Sequence, residues 1–391
     1  MLLLKNGLLH TMRGETPFVG DVLIEDGKIV GMGAALENAD AKRFDLSGKY
    51  VLPGFIDAHC HIGMEEDGMG IEGSDTNEVS DPITPQMRAI DGLNPFDPCF
   101  AEAYKAGITT VVTGPGSANV IGGQFAALKT CGGSVEDMLV KEPVAMKAAV
   151  GENPKRVYGD QKAAPYTRMA IAALFRKAMV DAAEYRDALA LAKNDPDKKP
   201  DRNIVLDALL PVLDGTLPMK IHAHRADDIL TALRLAKEFG LRVTIDHCTE
   251  GHLIAGVLKE RLNELGAEVI VGPLLSERCK IELKNLSYDA PRILHEAGIS
   301  FALMTDHPVI PIQYLPVTAG LAVRSGLDET AALASITTNA ARIAGLEARV
   351  GSLAPGMDAD IAVFDGHPFD FRAHCVMTLI NGRIVHSLPE G

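Results

Sequence analysis

The stretch Val51-Leu52-Pro53-Gly54-Phe55-Ile56-Asp57-Ala58-His59-Cys60-His61 carries the first decision about the fold. Val51, Leu52, Phe55 and Ile56 read as a buried strand, and two histidines one residue apart stand at its end. Successive side chains of a strand alternate between faces, so His59 and His61 share a face and Cys60 looks the other way. Two imidazoles so placed suit one divalent ion in tetrahedral or five-coordinate geometry. The pair alone reads equally well as two solvated histidines, so the rest of the chain must decide.

Downstream of this strand, apolar strands alternate with helical stretches. Strands are expected at Thr109–Thr113, Phe125–Lys129, Val144–Val150, Lys220–His224, Arg242–His247, Glu268–Gly272 and Ser300–Thr305, and several are continuous apolar runs of the kind that helices cover on both faces. Helices are expected over Pro98–Ala106, Arg168–Lys193, Asp227–Phe239, Ile254–Leu265, Ala290–Ala297 and Asp328–Ala344. The fold class is therefore α/β, a (β/α)8 TIM-like barrel over residues 51–347, with an open doubly wound sheet as the alternative. Upstream, short strands are punctuated by Asn6-Gly7, Asp26-Gly27 and Ser47-Gly48, which are turn signals. Similar strands recur around Asp360–Phe364 and Val376–Ile380. Residues 1–50 and 348–391 are each too small to bury a core alone, so they are expected to combine into one small β-sandwich domain.

With 47% hydrophobic and 23% charged residues the chain supports a large core. A net charge of −14 argues against nucleic acid or an anionic membrane as partner and leaves a small-molecule substrate open. The six cysteines are scattered without a CxxC pair and read as free thiols in a reducing cytoplasm. The opening residues are too short in apolar character for a signal peptide, and no stretch approaches a membrane span.

Further candidate ligands fall at strand ends. His222 and His224 close the fifth strand, His247 the sixth, and Asp306-His307 the eighth. The C-terminal strand ends of a parallel barrel converge on one mouth, where its chemistry is placed. Here the chain resembles the amidohydrolase superfamily, in its imidazolonepropionase, cyclic-amidase and prolidase-like branch. The resemblance runs nearly the whole length, through PGFIDAHCH, the strand-end histidines, the strand-eight aspartate, TTNAARIAGL and GSLAPGMDADIAVFDG…INGRIVH.

The resemblance implies that His59, His61 and Asp306 hold one divalent metal. His222 and His247 hold a second, or His222 joins the first set and His247 orients water or substrate. Zinc is the implied metal, with iron or manganese as alternatives. Two-metal members use a bridging carboxylate from strand four, where Glu152 at the strand end and a carbamylated Lys147 deeper in are the two candidates; Glu152 is expected to be the ligand. The implied function is hydrolysis of an amide or cyclic amide, non-peptide or dipeptide, by a metal-activated hydroxide. Asp306 is the expected proton acceptor, and His224 and His307 either support the ligands or touch the substrate carbonyl. Mononuclear deamination of a heterocycle is the alternative, although no glutamate closely follows the strand-five histidine; a non-catalytic assembly protein is a third reading. The resemblance also implies a homo-oligomer. The long His61–Phe100 segment is expected to cover substrate.

Overall fold

The computed structural model of the protein describes residues 1–389, whose strands form two sheets of eight. In chain order the strands are β1 (Leu2–Leu9), β2 (Phe18–Glu25), β3 (Lys28–Gly33), β4 (Lys42–Asp45), β5 (Tyr50–Pro53), β6 (Phe55–Cys60), β7 (Ile108–Thr113) and β8 (Ile121–Lys129). They continue as β9 (Leu139–Ala149), β10 (Met219–Ala223), β11 (Val243–His247), β12 (Glu268–Val271), β13 (Phe301–Leu303), β14 (Ile361–Phe364), β15 (Cys375–Ile380) and β16 (Arg383–Ser387).

Both ends of the chain meet in the first sheet, ordered β16-β15-β14-β5-β1-β2-β3 with β4 on β1. The join is antiparallel pairing of β5 with β14, Pro53 opposite Ile361 and Val51 opposite Val363. Leu4, Val22, Ile24, Val51, Ile361, Val363 and Leu379 bury together, so neither terminal half needs a core of its own. Seven of these strands lie on one hydrogen-bonded path and β4 branches from β1, so the eight form one connected sheet where the sequence reading expected a two-layer sandwich. That reading also ran one strand from Val51 through Asp57; the chain instead changes sheet at Gly54. A Cβ there would stand 2.1 Å from Thr109 Oγ1, so only glycine fits the crossing.

The second sheet runs β6-β7-β8-β9-β10-β11-β12-β13 in chain order. Its end strands meet across a nearly closed barrel. His61 N donates to His307 O at 2.8 Å, and Asp57 Oδ2 accepts from Thr305 N (3.1 Å) and Thr305 Oγ1 (2.5 Å). One strand departs from the expected β/α repeat: β8 is antiparallel to both β7 and β9. The physical reason is connection length. A parallel crossover needs a dozen or so residues, whereas residues 114–120 only turn the chain, and residues 130–138 hold a single helical turn.

Helices α1 (Pro98–Lys105), α2 (Glu152–Asp160), α3 (Arg168–Ala192) and α4 (Ala226–Phe239) pack outside the barrel, α3 burying Ile171, Phe175 and Met179. The predicted Asp328–Ala344 helix is broken into Glu329–Ser335 and Thr338–Ile343. Among the described residues no helix is long and apolar enough to cross a membrane. The two sheets are locked together by a buried cation. Lys129 Nζ at the end of β8 lies 3.0 Å from Asp358 Oδ2 and 2.5 Å from Asp360 Oδ2, just before β14.

Candidate active site and metal centre

Strand parity decides which residues face the barrel interior. Asp57, His59 and His61 alternate onto one face of β6 and its end. Lys147 pairs in register with Lys220, and His222 with Asp246, so β9, β10 and β11 send these four side chains to the same side. By parity alone His247 would point away from Asp246. Its φ of +74°, followed by +50° at Cys248, turns the backbone left-handed and brings its ring inside as well. Asp306, with φ +55°, is re-aimed in the same way after β13. Non-glycine residues held in this region cost energy and cluster at functional sites.

The histidines are held by their outer nitrogens. His59 Nδ1 lies 2.6 Å from Asp246 Oδ2, His61 Nδ1 2.7 Å from Gly114 O, His224 Nδ1 2.7 Å from Thr249 Oγ1, and His247 Nδ1 3.1 Å from Gly272 O. A carbonyl or carboxylate only accepts, so Nδ1 of His59, His61 and His247 carries the proton and Nε2 keeps its lone pair. Such outer bonds fix ring orientation and ligand basicity in metal sites. Asp246 is itself anchored by Lys220 Nζ at 3.0 Å and Thr244 Oγ1 at 2.7 Å. Burial pushes its carboxyl up, but Lys220 and His59 more than reverse this and hold it far below the usual carboxylate range.

Two groups of ligand atoms result, His59–His247–Asp306 and His222–His224–His247, each within 4.8 Å. Asp306 Oδ1 is 3.3 Å from His61 Nε2 and 3.6 Å from His59 Nε2. The rings of His222, His224 and His247 stand 4.1–4.6 Å apart. Burial, with Lys147 adding to it, lowers His59 to about 3; burial and His222 lower His224 to about 3. His222 and His247 fall well below the ordinary histidine value, again mainly by burial. Neutral imidazoles are the form that binds metal. The donor set therefore fits one or two divalent ions, and the buried His222 Nδ1 and Glu282 Oε1, both without a hydrogen-bond partner, mark a site whose polar groups are not satisfied by protein alone.

Lys147, not Glu152, is the strand-four residue in this cluster. Its Nζ is 3.3 Å from His59 Nε2, and burial lowers its amine to about 8 against the opposing pull of Asp246 and Asp306. Glu152 is carried away because Gly151, at φ +91°, turns the chain out of β9 and makes Glu152 the first residue of α2. It lines a neighbouring cavity of about 430 Å³ with Lys155, Arg156 and Arg225. His307 also departs from expectation. Its ring is buried against Asp97 and Cys99, with both ring nitrogens unpartnered, and it does not line the cavity onto which His61, His222, His224 and Asp306 open.

That cavity, about 270 Å³, is walled by His61, His222, His224 and Asp306 together with Asn153, Ser117, Cys279, Lys280 and Leu283. Glu65, Thr76 and Asn77, from the long segment after His61, close one side. Sequence reasoning missed Asp246, Lys220 and Glu282. The first two carried a signal in their inward strand parity; Glu282, in the turn Ile281–Leu283 after β12, carried none. Asp246→Asn is expected to weaken metal binding by about 10–100-fold, measured by competition with a chelating dye. Unchanged affinity would remove Asp246 from the support of His59.

A model of the amidohydrolase family matches residues 212–386. The fold superposes on the crystal structure of an amidohydrolase from Thermotoga maritima MSB8 with a TM-score of 0.96 and 43% identity, covering 99% of this chain and 100% of that one. In sequence the chain is 31% identical to amidohydrolase tasK of Hapsidospora irregularis over 93% of its own length, and it spans 40% of that protein. It is 27% identical to an imidazolonepropionase of Paracoccus denitrificans, over 94% of this chain and 93% of that protein. A barrel whose strand ends gather these imidazoles and Asp306, on a chain so close to a solved amidohydrolase along its whole length, belongs to the amidohydrolase family of carbon–nitrogen bond hydrolases.

Proposed function

We propose that the protein is a metal-dependent hydrolase of an amide or cyclic amide. The observation that carries this reading is the clustering of His59, His61, His222, His224, His247 and Asp306, with His61, His222, His224 and Asp306 lining one cavity and four of the rings held through Nδ1. His59, His61 and Asp306 would hold one ion and the three remaining histidines a second; the nitrogen and oxygen donors suit zinc, with iron or manganese as alternatives. When bound, such an ion polarises the carbonyl and lowers the pKa of water. Asp306 takes the proton from the attacking water and returns it to the leaving nitrogen, so the C–N bond breaks as C–O forms. Lys280, whose Nζ lies 3.0 Å from Asn153 Oδ1 on the cavity wall, is the cation placed to hold an anionic group of the substrate.

Lys147 is assigned the bridging role as its carbamate. A buried amine lowered to about 8 is uncharged in about half of the molecules near that pH, and the uncharged form attacks carbon dioxide. Protein prepared with isotopically labelled bicarbonate is expected to show a carbamate carbon resonance that Lys147→Met abolishes. Its absence from metal-loaded wild type would end this assignment.

The function itself is tested by stripping metal with a chelator, restoring zinc, and assaying cyclic amides, imidazolones and dipeptides for ring opening or bond cleavage. Metal-independent turnover, or no turnover on any amide, would count against it. One observation favours a second reading, deamination of a heterocycle: Glu282 Oε1 stands 3.7 Å from His224 Nε2, a carboxylate beside the strand-five histidine. Ammonia release without ring opening would select that reading.

A further inference from the structure

We propose that Glu282 is a ligand of the ion held by His222, His224 and His247, and that through it ion binding fixes the turn walling the substrate cavity. The inference rests on the metal-dependent reading above and adds a ligand from a part of the barrel that reading does not use.

Glu282 is 1% exposed, and its Oε1 has no hydrogen-bond partner. An isolated buried carboxylate oxygen costs several kcal/mol in order of magnitude. This one faces two imidazole nitrogens, His222 Nε2 at 3.8 Å and His224 Nε2 at 3.7 Å, and bonds to neither. Those separations are too long for hydrogen bonds. They are close to the spacing of two donors on one ion, about 3.4 Å for bonds of about 2.1 Å in a tetrahedron. The neighbouring His247 keeps a lone pair on Nε2, because its Nδ1 proton is given to Gly272 O. His222 Nε2 has Asn153 Nδ2 at 3.5 Å as its other polar neighbour, and a cation among these groups would stabilise the buried carboxylate oxygen. Lys280 does not fill that place: its Nζ is 3.7 Å from Glu282 Oε1 and is bonded to Asn153.

The carboxylate is already aimed. Its other oxygen, Oε2, accepts from Glu152 N at 3.2 Å, and Glu152 Oε2 accepts from Glu282 N at 3.3 Å. This reciprocal pair pins the turn to the start of α2. Cys279, Lys280 and Leu283, on either side of Glu282, line the catalytic cavity. A bond from Glu282 to an ion therefore sets the position of three cavity-lining residues at once. Loss of the ion releases one side of that turn.

The test compares wild type, E282Q and Glu152→Ala by elemental mass spectrometry and limited trypsin digestion. The exposed Arg278 and Lys284 flank Glu282 and supply the cutting sites. E282Q is expected to carry about one ion per chain fewer than wild type and to be cut between residues 278 and 284 several-fold faster, matching chelator-treated wild type. Glu152→Ala, which removes a turn contact without removing a donor, is expected to keep its metal. E282Q with wild-type metal content overturns the proposal, including the case in which turnover alone is lost. If E282Q does not fold, Glu282→Asp replaces it: weakened metal affinity supports the proposal and unchanged affinity overturns it. Wild type that binds no metal would overturn the metal-dependent reading itself, which separates the two failures.

Discussion

Asp306→Asn is expected to lower kcat by about 10²–10⁴-fold while the protein stays folded and keeps most of its metal. The carboxylate is buried, which by itself pushes its pKa up, but His61, His59 and Lys147 more than offset that and hold it well below the usual carboxylate range. It is therefore ionised at neutral pH and able to take a proton from water. Asparagine keeps the size and one acceptor but cannot hold that proton. The choice of asparagine also respects the backbone. Asp306 sits at φ +55°, a region that asparagine tolerates far better than most residues, so a loss of turnover would not be confused with a distorted strand end. His59, His61 and the second histidine group remain, so metal content read alongside kcat separates loss of the base from loss of the ion. Turnover within tenfold of wild type would remove Asp306 as the proton carrier.

The second large effect concerns stability. Lys129→Met is expected to destabilise the protein by about 3–5 kcal/mol, because it leaves Asp358 and Asp360 as buried carboxylates without their shared cation. Lys129, Asp358 and Asp360 are each 1–4% exposed, so water cannot replace the lost partner. Asp358 retains Lys28 and Arg349, whereas the side chain of Asp360 is left with Asn381 N at 2.9 Å as its donor. The damage should fall at the junction between β8 and β14, where barrel and terminal sheet meet. A lower urea midpoint, partly rescued in the triple variant that also replaces Asp358 and Asp360 with asparagine, would show that the unpaired charges are the cause. A midpoint equal to wild type would show that the network contributes nothing to stability.

Much of the site was legible in the chain because it depends on local rules. Alternation along β6 puts His59 and His61 on one face whatever the rest does, and a barrel brings strand ends from distant segments to one mouth. Apolar runs separated by helical stretches were enough for the barrel, and two small turn-rich ends for the shared terminal sheet. What sequence left open depends on contacts between distant segments or on backbone angles that parity cannot reveal. The reversed β8 follows from connections too short to cross over. His247 and Asp306 reach the interior only because left-handed turns override alternation. Glu152 is nearer the strand end than Lys147, yet Gly151 turns it out of the barrel, and the deeper lysine meets His59. Glu282 lies far along the chain from Glu152, in a turn with no periodic signal, and only barrel closure sets its carboxylate against His222 and His224.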